Sequence, residues 1–522
     1  MFNRVLPIKI ALLLSVFAIF VGYIVASPVT WTALGVYSLI FFIFSLPLLL
    51  RWHHFLVILT WNSNAVIYLL PGTPPLWMAM VGLSLVISLA QYALNSQEKY
   101  LFVSELIRPL VFLLILVLLT VLFKGGVGLS IFGGHGSGGK KTVFVIGAIL
   151  GYFVLTRHTV KTGSAYLYAS LFFLGGVSSV IGNFLPLVNP AFYFIFGIFP
   201  PEESGFEALG LINTTSDVTR FAGIAFASAA VFSALLMNYG IRGIVDFRWP
   251  LHLLPFSFKG GFQINRPWRL IIFLTILVLS LLGGFRLLVL IFALTLGLQL
   301  YLEKLYRSRL FLGILLMALL GGAIVLPMAR KLPLNMQRAL SFLPIDVDPV
   351  ARGSAQSSTE WRLEMWKRLL PEIPRHLLIG KGYEINTHDL EILTANQSRG
   401  QVDTIEVAIL AGDYHNGILS LIIPFGLPGV AGFVWLLWAG FKVLRDNYRY
   451  GPPELLRLNR FLLSFFMARA IYFFVFFGSF SSDFFLFTGV LGLSVSINRG
   501  VCKKPLKEMP ADFSENLFPF KS

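Results

Sequence analysis

One recurrence restricts this chain more than any other feature. Runs of about 18 or more nearly uncharged residues return along all 522 residues, each long enough to cross roughly 30 Å of hydrocarbon as a helix. The runs are continuously apolar instead of alternating, so helices and not a barrel are predicted. Spans are read near residues 10–26, 32–50, 55–70, 76–94, 107–123, 142–156, 165–182, 220–238, 270–284, 287–302, 310–328, 416–440, 461–478 and 484–498, about fourteen in all. With 56% hydrophobic and only 13% charged residues, the apolar surface exceeds what one water-soluble core would bury. The first run follows Met1 to Lys9 without a small-residue cleavage site leading into a polar domain. It is therefore read as a span, not a signal peptide. The expected fold class is all-α, a polytopic transmembrane helix bundle.

Charge sets the expected topology. A formal charge of +16 in such a chain reflects Lys and Arg holding loops in the cytoplasm, which argues against nucleic acid as a partner. Starting the N-terminus inside places Arg51, Arg157 with Lys161, the stretch from Arg242 to Arg269, Lys304 to Arg309, Lys442 to Arg460 and the tail from Arg499 on the cytoplasmic side. The loop with Glu98, Lys99 and Glu105 is the exception, having no positive excess. The opposite side receives Pro71 to Pro75, the glycine-rich Lys124 to Lys141, and Asn183 to Thr219 with Glu202, Glu203, Glu207 and Asp217. The expected division is 1–328 (spans 1 to 11), 329–414 (an extracytoplasmic loop), 415–498 (spans 12 to 14) and 499–522 (a basic cytoplasmic tail). The single cysteine, Cys502, leaves no intramolecular disulfide possible. No sequence repeat of the kind common in secondary transporters is apparent.

The long loop carries its own signals. Ser357 with Glu360 three residues later forms a capping box, followed by Trp361, Met365 and Leu369 on one helical stripe. A short amphipathic helix lying on the bilayer surface is predicted. Residues 332–344 are a second helical candidate between prolines, and Lys381 to Asp413 reads as a polar, irregular lid. Where the loop re-enters the membrane, His415 and Asn416 put an imidazole and an amide at the mouth of the bundle, as catalytic groups or as an interfacial helix cap. Asp413 is read as the N-cap of the following helix, with Glu406, Asp403, Glu391 and Asp389 as other carboxylates in reach of a base's role. Asp346 and Asp348 have metal-pair spacing but sit beside Pro349, and are read as a turn. The stretch from Gly134 imitates a phosphate loop, yet Lys141 stands where Ser or Thr is required. Trp61 to Asn64 is read as interhelical packing. Arg469 lies inside a span, where it needs a partner helix or a polar cavity.

His415, Asn416, nine residues, Gly426, two residues and Gly429 resemble the signature that closes the large periplasmic loop of O-antigen ligases and their relatives, the lipid-linked oligosaccharide polymerases and protein O-oligosaccharyltransferases. Arg362, Trp366 and the Gly-x-Gly of Gly380 and Gly382 are similar to the family's pattern in that loop. Arg286 in "GGFRLLVL" is similar to its short arginine motif, although Phe285 stands where the family has Ser. The resemblance covers roughly residues 281–437.

It implies a C-type glycosyltransferase architecture that transfers a glycan from undecaprenyl pyrophosphate to an acceptor hydroxyl, at the periplasmic face of a bacterial inner membrane, without cofactor or metal. The acceptor is a lipid A core for a ligase or a growing glycan for a polymerase. A lipid-linked glycan transporter is the alternative from another class. The catalytic residues implied are His415, Arg362 and Arg286. Guanidinium groups suit a departing pyrophosphate because their rigid fork grips phosphate oxygens. His415 either takes the acceptor's proton or donates to the leaving group. Asn416, Trp366, Gly380, Gly382, Arg338 and Arg469 are the expected substrate-binding residues. Arg352 and Arg220 are further cations, read as facing lipid headgroups.

Overall fold

The computed structural model describes residues 31–70, 72–94, 101–125, 138–201, 218–245, 268–383 and 403–504, with Ser15, Ala18 and Gly22. Most of the span read at 10–26, the glycine-rich 126–137, Glu202, Glu203, Glu207, Asp217, residues 246–267, Asp389, Glu391 and the tail beyond 504 lie outside them. The chain forms two compact units, Met1–Leu56 and Val57–Ser522.

The described residues are helical, with an isolated β-bridge between Val66 and Pro75 and no strand. In chain order the helices are α1 (Trp31–Thr60), α2 (Leu76–Leu94), α3 (Ser104–Lys124), α4 (Gly138–Leu155), α5 (Thr162–Val188, with 3-10 turns), α6 (Ala222–Ile244), α7 (Trp268–Leu282), α8 (Arg286–Leu302), α9 (Arg309–Val325), α10 (Leu334–Leu340), α11 (Pro349–Leu369), α12 (Thr404–Leu410), α13 (Leu419–Tyr450), α14 (Leu456–Val475) and α15 (Phe480–Asn498). Among the described residues, 8 helices have the length and composition to cross a membrane, and α7, α8 and α9 are shorter apolar helices. The all-α polytopic bundle is the fold observed.

One part of the span reading is corrected. The spans read at 32–50 and 55–70 are a single helix through Thr60, and Arg51 lies within it and not in a loop. The polar cluster from Arg51 to His54 looks like a loop, but it holds no Gly, Pro or Asn to break a helix. The break comes at Asn62, Ser63 and Asn64, where the chain turns irregular.

Two helices are broken by glycines with positive φ. In α6, Gly240 (φ 63) interrupts the ladder, and the buried Glu303 carboxylate accepts the freed N–H groups of Ile241 (2.9 Å) and Arg242 (3.2 Å). In α13, Gly426 (φ 66) lies between Pro424 and Pro428. Helix α6 packs against α5, α7, α8 and α14, and α13 packs against α3, α14 and α15. Helix α11 joins the α7–α8 hairpin through α10, and its Met365 and Leu369 pack with Leu419 and Ile423 at the start of α13.

Candidate active site

The α7–α8 hairpin turns on Gly283 and Gly284, the latter at φ 75. Its carbonyls are each taken by a donor from another segment. Asn335 Nδ2 donates to Leu282 O (2.6 Å), Phe221 N–H to Gly283 O (3.3 Å), and Arg338 Nη1 to Gly284 O. This fixes the first residue of α8, Arg286, whose Nη2 donates to Ala355 O (2.8 Å) and Thr359 Oγ1 (3.0 Å) on α11. Ala355, Thr359 and Arg362 follow i, i+4, i+7 spacing and share one helix face. Arg286 therefore docks on the face that carries Arg362.

Arg338 lies behind the hairpin, bonded to α11. It is 5% exposed, and Nε and Nη2 donate to Ser354 Oγ (3.1 Å) and Ser358 Oγ (2.9 Å). It is a strut between hairpin and α11.

Helix α11 begins earlier than the capping box implies. Asp348 caps it, accepting from Val350 N–H (2.8 Å), with Pro349 in the first turn. Asp346 meets Arg330 Nε at 2.8 Å, so the pair read as a turn is a helix start. The apolar stripe is as expected, but what covers it is not lipid. Met365 and Leu369 are buried with Ile405, Tyr414, Leu419 and Ile423, and Trp361 and Trp366 pack against them. Hydrophobic periodicity says which face is apolar, and the re-entering chain supplies the cover.

That re-entering chain, Ala411 to Ile418, is held from two sides. Trp366 Nε1 donates to Tyr414 O (2.9 Å). Asp413 does not cap α13; its Oδ1 pairs with Lys141 Nζ of α4 at 2.6 Å. The cap is Asn416, whose Oδ1 accepts from Leu419 N–H (3.1 Å). Asp403 caps α12 and pairs with Arg368.

Between these anchors His415 adopts φ 50, a left-handed conformation uncommon outside glycine but tolerated by His and Asn. Its ring lies edge-on to Trp361 (centroids 5.4 Å) and against Phe477 (5.2 Å). The Arg362 guanidinium stands 5.5 Å from the same Phe477 ring. Phe477, in the α14–α15 connection, is thus a shared wall that the sequence reading did not single out; in a phenylalanine-rich run nothing distinguishes it.

Electrostatics follow from this geometry. Burial holds His415 below its ordinary value of 6.5; the positive charges of Arg362 and Lys141 act the same way, and Asp413 opposes them. The imidazole is neutral at neutral pH. Burial, then the like charges of Arg286 and Arg220, lower Arg362, while Tyr472 opposes the shift. Arg286 and Arg362 have no carboxylate partner among the described residues. Two guanidinium groups held near each other have the charge and donor geometry to take an anion.

The Gly-x-Gly turn does structural work at the break in α13. Lys381 N–H donates to Ile423 O (2.9 Å), Gly382 N–H to Pro424 O (3.0 Å), and Leu427 N–H to Leu377 O (2.7 Å). Prolines 424 and 428 lack N–H groups and Gly426 leaves the helix, so these orphaned groups need partners in an apolar setting. The strap 377–382 supplies them. Gly382 has φ 73, and a Cβ on Gly380 would lie 2.0 Å from Pro424 O.

Arg469 Nε pairs with Asp483 Oδ1 at 2.7 Å, and Asp483 Oδ2 accepts from Ser479 N–H (3.0 Å). The partner helix required of Arg469 is α15. Removing one member of a buried pair strands the other charge, which costs about 3–5 kcal/mol. Arg469→Met is accordingly expected to lower the detergent-phase melting temperature, and Arg469→Met with Asp483→Leu to recover much of it; equal melting of the single variant and the wild type would contradict this role. Trp61 to Asn64 serves packing: Asn62 Nδ2 donates to Phe172 O and Asn64 Nδ2 to Pro200 O, both at 2.8 Å, and Trp61 stacks on Phe485.

A search of curated proteins finds no matching relative. The family model described as O-Antigen ligase matches residues 262–434, a segment that contains the hairpin, α11, the strap and His415. On that match, residues 262–434 are similar to the O-antigen ligase family, and with the many apolar helices around that segment the chain is a multi-pass membrane protein.

Proposed function

We propose that the protein is a membrane glycosyltransferase of the O-antigen ligase type, moving a glycan from undecaprenyl pyrophosphate to an acceptor hydroxyl at the periplasmic face of a bacterial inner membrane. One observation carries this reading: Arg286 and Arg362, which have no carboxylate partner among the described residues, adjoin a neutral imidazole. In this reading the two guanidinium groups bind the pyrophosphate and stabilise the charge that grows on it as the anomeric C–O bond breaks. His415, poised as an acceptor, removes the proton of the attacking hydroxyl as the new glycosidic bond forms. Positioning is assigned to the rest: Trp366 and Asn416 fix the backbone on either side of His415, and Arg338 fixes the hairpin of Arg286. The described parts of the loop 329–414, helices α10 to α12 and the strap 377–382, are assigned as the cover of this site.

The test is a reconstitution of the purified full chain with undecaprenyl-pyrophosphate glycan and acceptor in EDTA. Product is expected without added metal ion. Arg362→Gln is expected to bind donor about 10- to 100-fold more weakly, as loss of charge-assisted hydrogen bonds worth about 1.5–3 kcal/mol requires. Unchanged donor affinity in that variant would remove the pyrophosphate assignment, and binding without any product would favour a transporter. The acceptor follows from a deletion strain, where loss of a ligase leaves free lipid-linked polymer and loss of a polymerase leaves single repeats.

A further inference from the structure

The Lys141–Asp413 pair joins α4 to the re-entering chain two residues before His415, and no motif of the family resemblance includes Lys141. Its geometry is specific. Nζ and Oδ1 are 2.6 Å apart, with the lysine side chain 17% exposed and the aspartate 47%. Gly412, immediately before Asp413, has φ 71, and a Cβ there would lie 3.3 Å from the Tyr383 ring and 3.5 Å from Lys141 Nζ. Lys141 Nζ also stands 6.0 Å from the centroid of the Tyr383 ring, which packs edge-on to Phe425 of α13. Lys141 thus touches the re-entering chain and stands over Tyr383, the residue that follows the Gly-x-Gly strap.

We infer that Lys141 and Asp413 are a positioning pair that sets the placement and protonation of His415, an inference that rests on the proposed role of His415 as base. The re-entering chain is clamped on its α11 side by Trp366 through Tyr414 O, and on its α4 side by this ion pair. Between the clamps lies a residue in the left-handed region, which persists only when its surroundings over-determine it. Among the described residues, the charged groups that act on His415 are Arg362 from α11, Lys141 from α4 and Asp413 from its own segment. Tyr414 turns into the buried cluster, and Tyr472 of α14 acts on Arg362. The two members of the pair act on the imidazole with opposite signs. Intact, they oppose each other, Asp413 acting the more strongly; broken, the survivor acts without its opponent.

This gives a readout that a purely structural tie would not produce. Lys141→Met leaves Asp413 unopposed, so His415 titrates at higher pH than in the wild type. Asp413→Asn leaves Lys141 unopposed, so it titrates at lower pH. The double variant Lys141→Met with Asp413→Asn removes both charges, and its midpoint is expected to lie between those of the two single variants. The fraction of neutral imidazole is read directly, without turnover, from the pH dependence of diethyl pyrocarbonate modification at His415, measured by mass spectrometry on the full chain in detergent. The acid limb of the transfer rate is measured in parallel. Opposite movements of the modification midpoint in the two single variants support the pair's role. Midpoints that stay put or move together overturn it. Opposite midpoint movements with an acid limb that does not follow keep the pair's role and overturn the assignment of His415 as base.

Discussion

His415→Asn is expected to lower glycan transfer by about 10²–10⁴-fold, the range that a positioned proton acceptor contributes, while the protein still binds lipid-linked donor. Asparagine is the informative replacement because the position has φ 50. Like histidine, Asn enters the left-handed region at modest cost, so the chain from Asp413 to Asn416 keeps its course, with Trp366 on Tyr414 O and Asn416 on Leu419 N–H. Donor binding should survive because Arg286 is held by α11 and Arg362 by its own helix, neither through His415. The wild-type pH profile provides a second check. Burial and the nearby cations push the imidazole below 6.5, so its neutral form dominates throughout the neutral range. Transfer is expected to hold steady across neutrality and to fall only on the acid side of 6.5, and His415→Asn to lose that acid limb. A variant with the full rate and an unchanged limb would exclude His415 as the base.

The candidate residues of this site were more legible in the sequence than the way they are held. Apolar runs identify most helices because each residue in a lipid-facing helix reports on its own surroundings. The stripe of Trp361, Met365 and Leu369 was equally legible as a stripe. Its cover, Tyr414 and Ile405 instead of lipid, depends on where a distant segment returns. Asp413 illustrates the same competition at one residue: local rules favour a helix cap, but Lys141, far away in the chain, takes the carboxylate and leaves the cap to Asn416. Lys141 was visible only as the residue that spoils a phosphate-loop pattern. Arg469 announced its need for a partner without naming Asp483. The Gly-x-Gly turn was read as a substrate-binding feature, and its hydrogen bonds are to the backbone of α13. The spacing from His415 to Gly426 and Gly429 acquires a physical reason there. One turn of chain presents the histidine, and the break that follows must be answered by the strap. Gly429 lets the resumed helix pass Phe425, whose Cβ would lie 2.4 Å from a Cβ at that position.

Gly380→Ala is expected to be strongly damaging. The added methyl would fall 2.0 Å from Pro424 O and 2.2 Å from Phe425 N, both backbone atoms in the broken part of α13, where no side-chain rotation relieves the overlap. Either the strap lifts or α13 shifts. If the strap lifts, the carbonyls of Ile423 and Pro424 and the N–H of Leu427 lose their partners together. An unsatisfied buried polar group costs about 1–3 kcal/mol, so three of them amount to several kcal/mol, on the order of a domain's whole stability. Water enters at the break, and Tyr383 leaves its place beside Lys141 and Phe425. The effect is local at first, so the expected signature is loss of amide-exchange protection at 381, 382 and 427 with a lower melting temperature, followed by loss of transfer as the lid no longer holds its position over Arg362 and His415. Gly353→Ala is the control: it lies in α11, and a Cβ there meets nothing within 4 Å, so it is expected to keep wild-type melting and activity. If Gly380→Ala retained protection at those three amides, the interlock of strap and broken helix would not be what shapes the floor of this site.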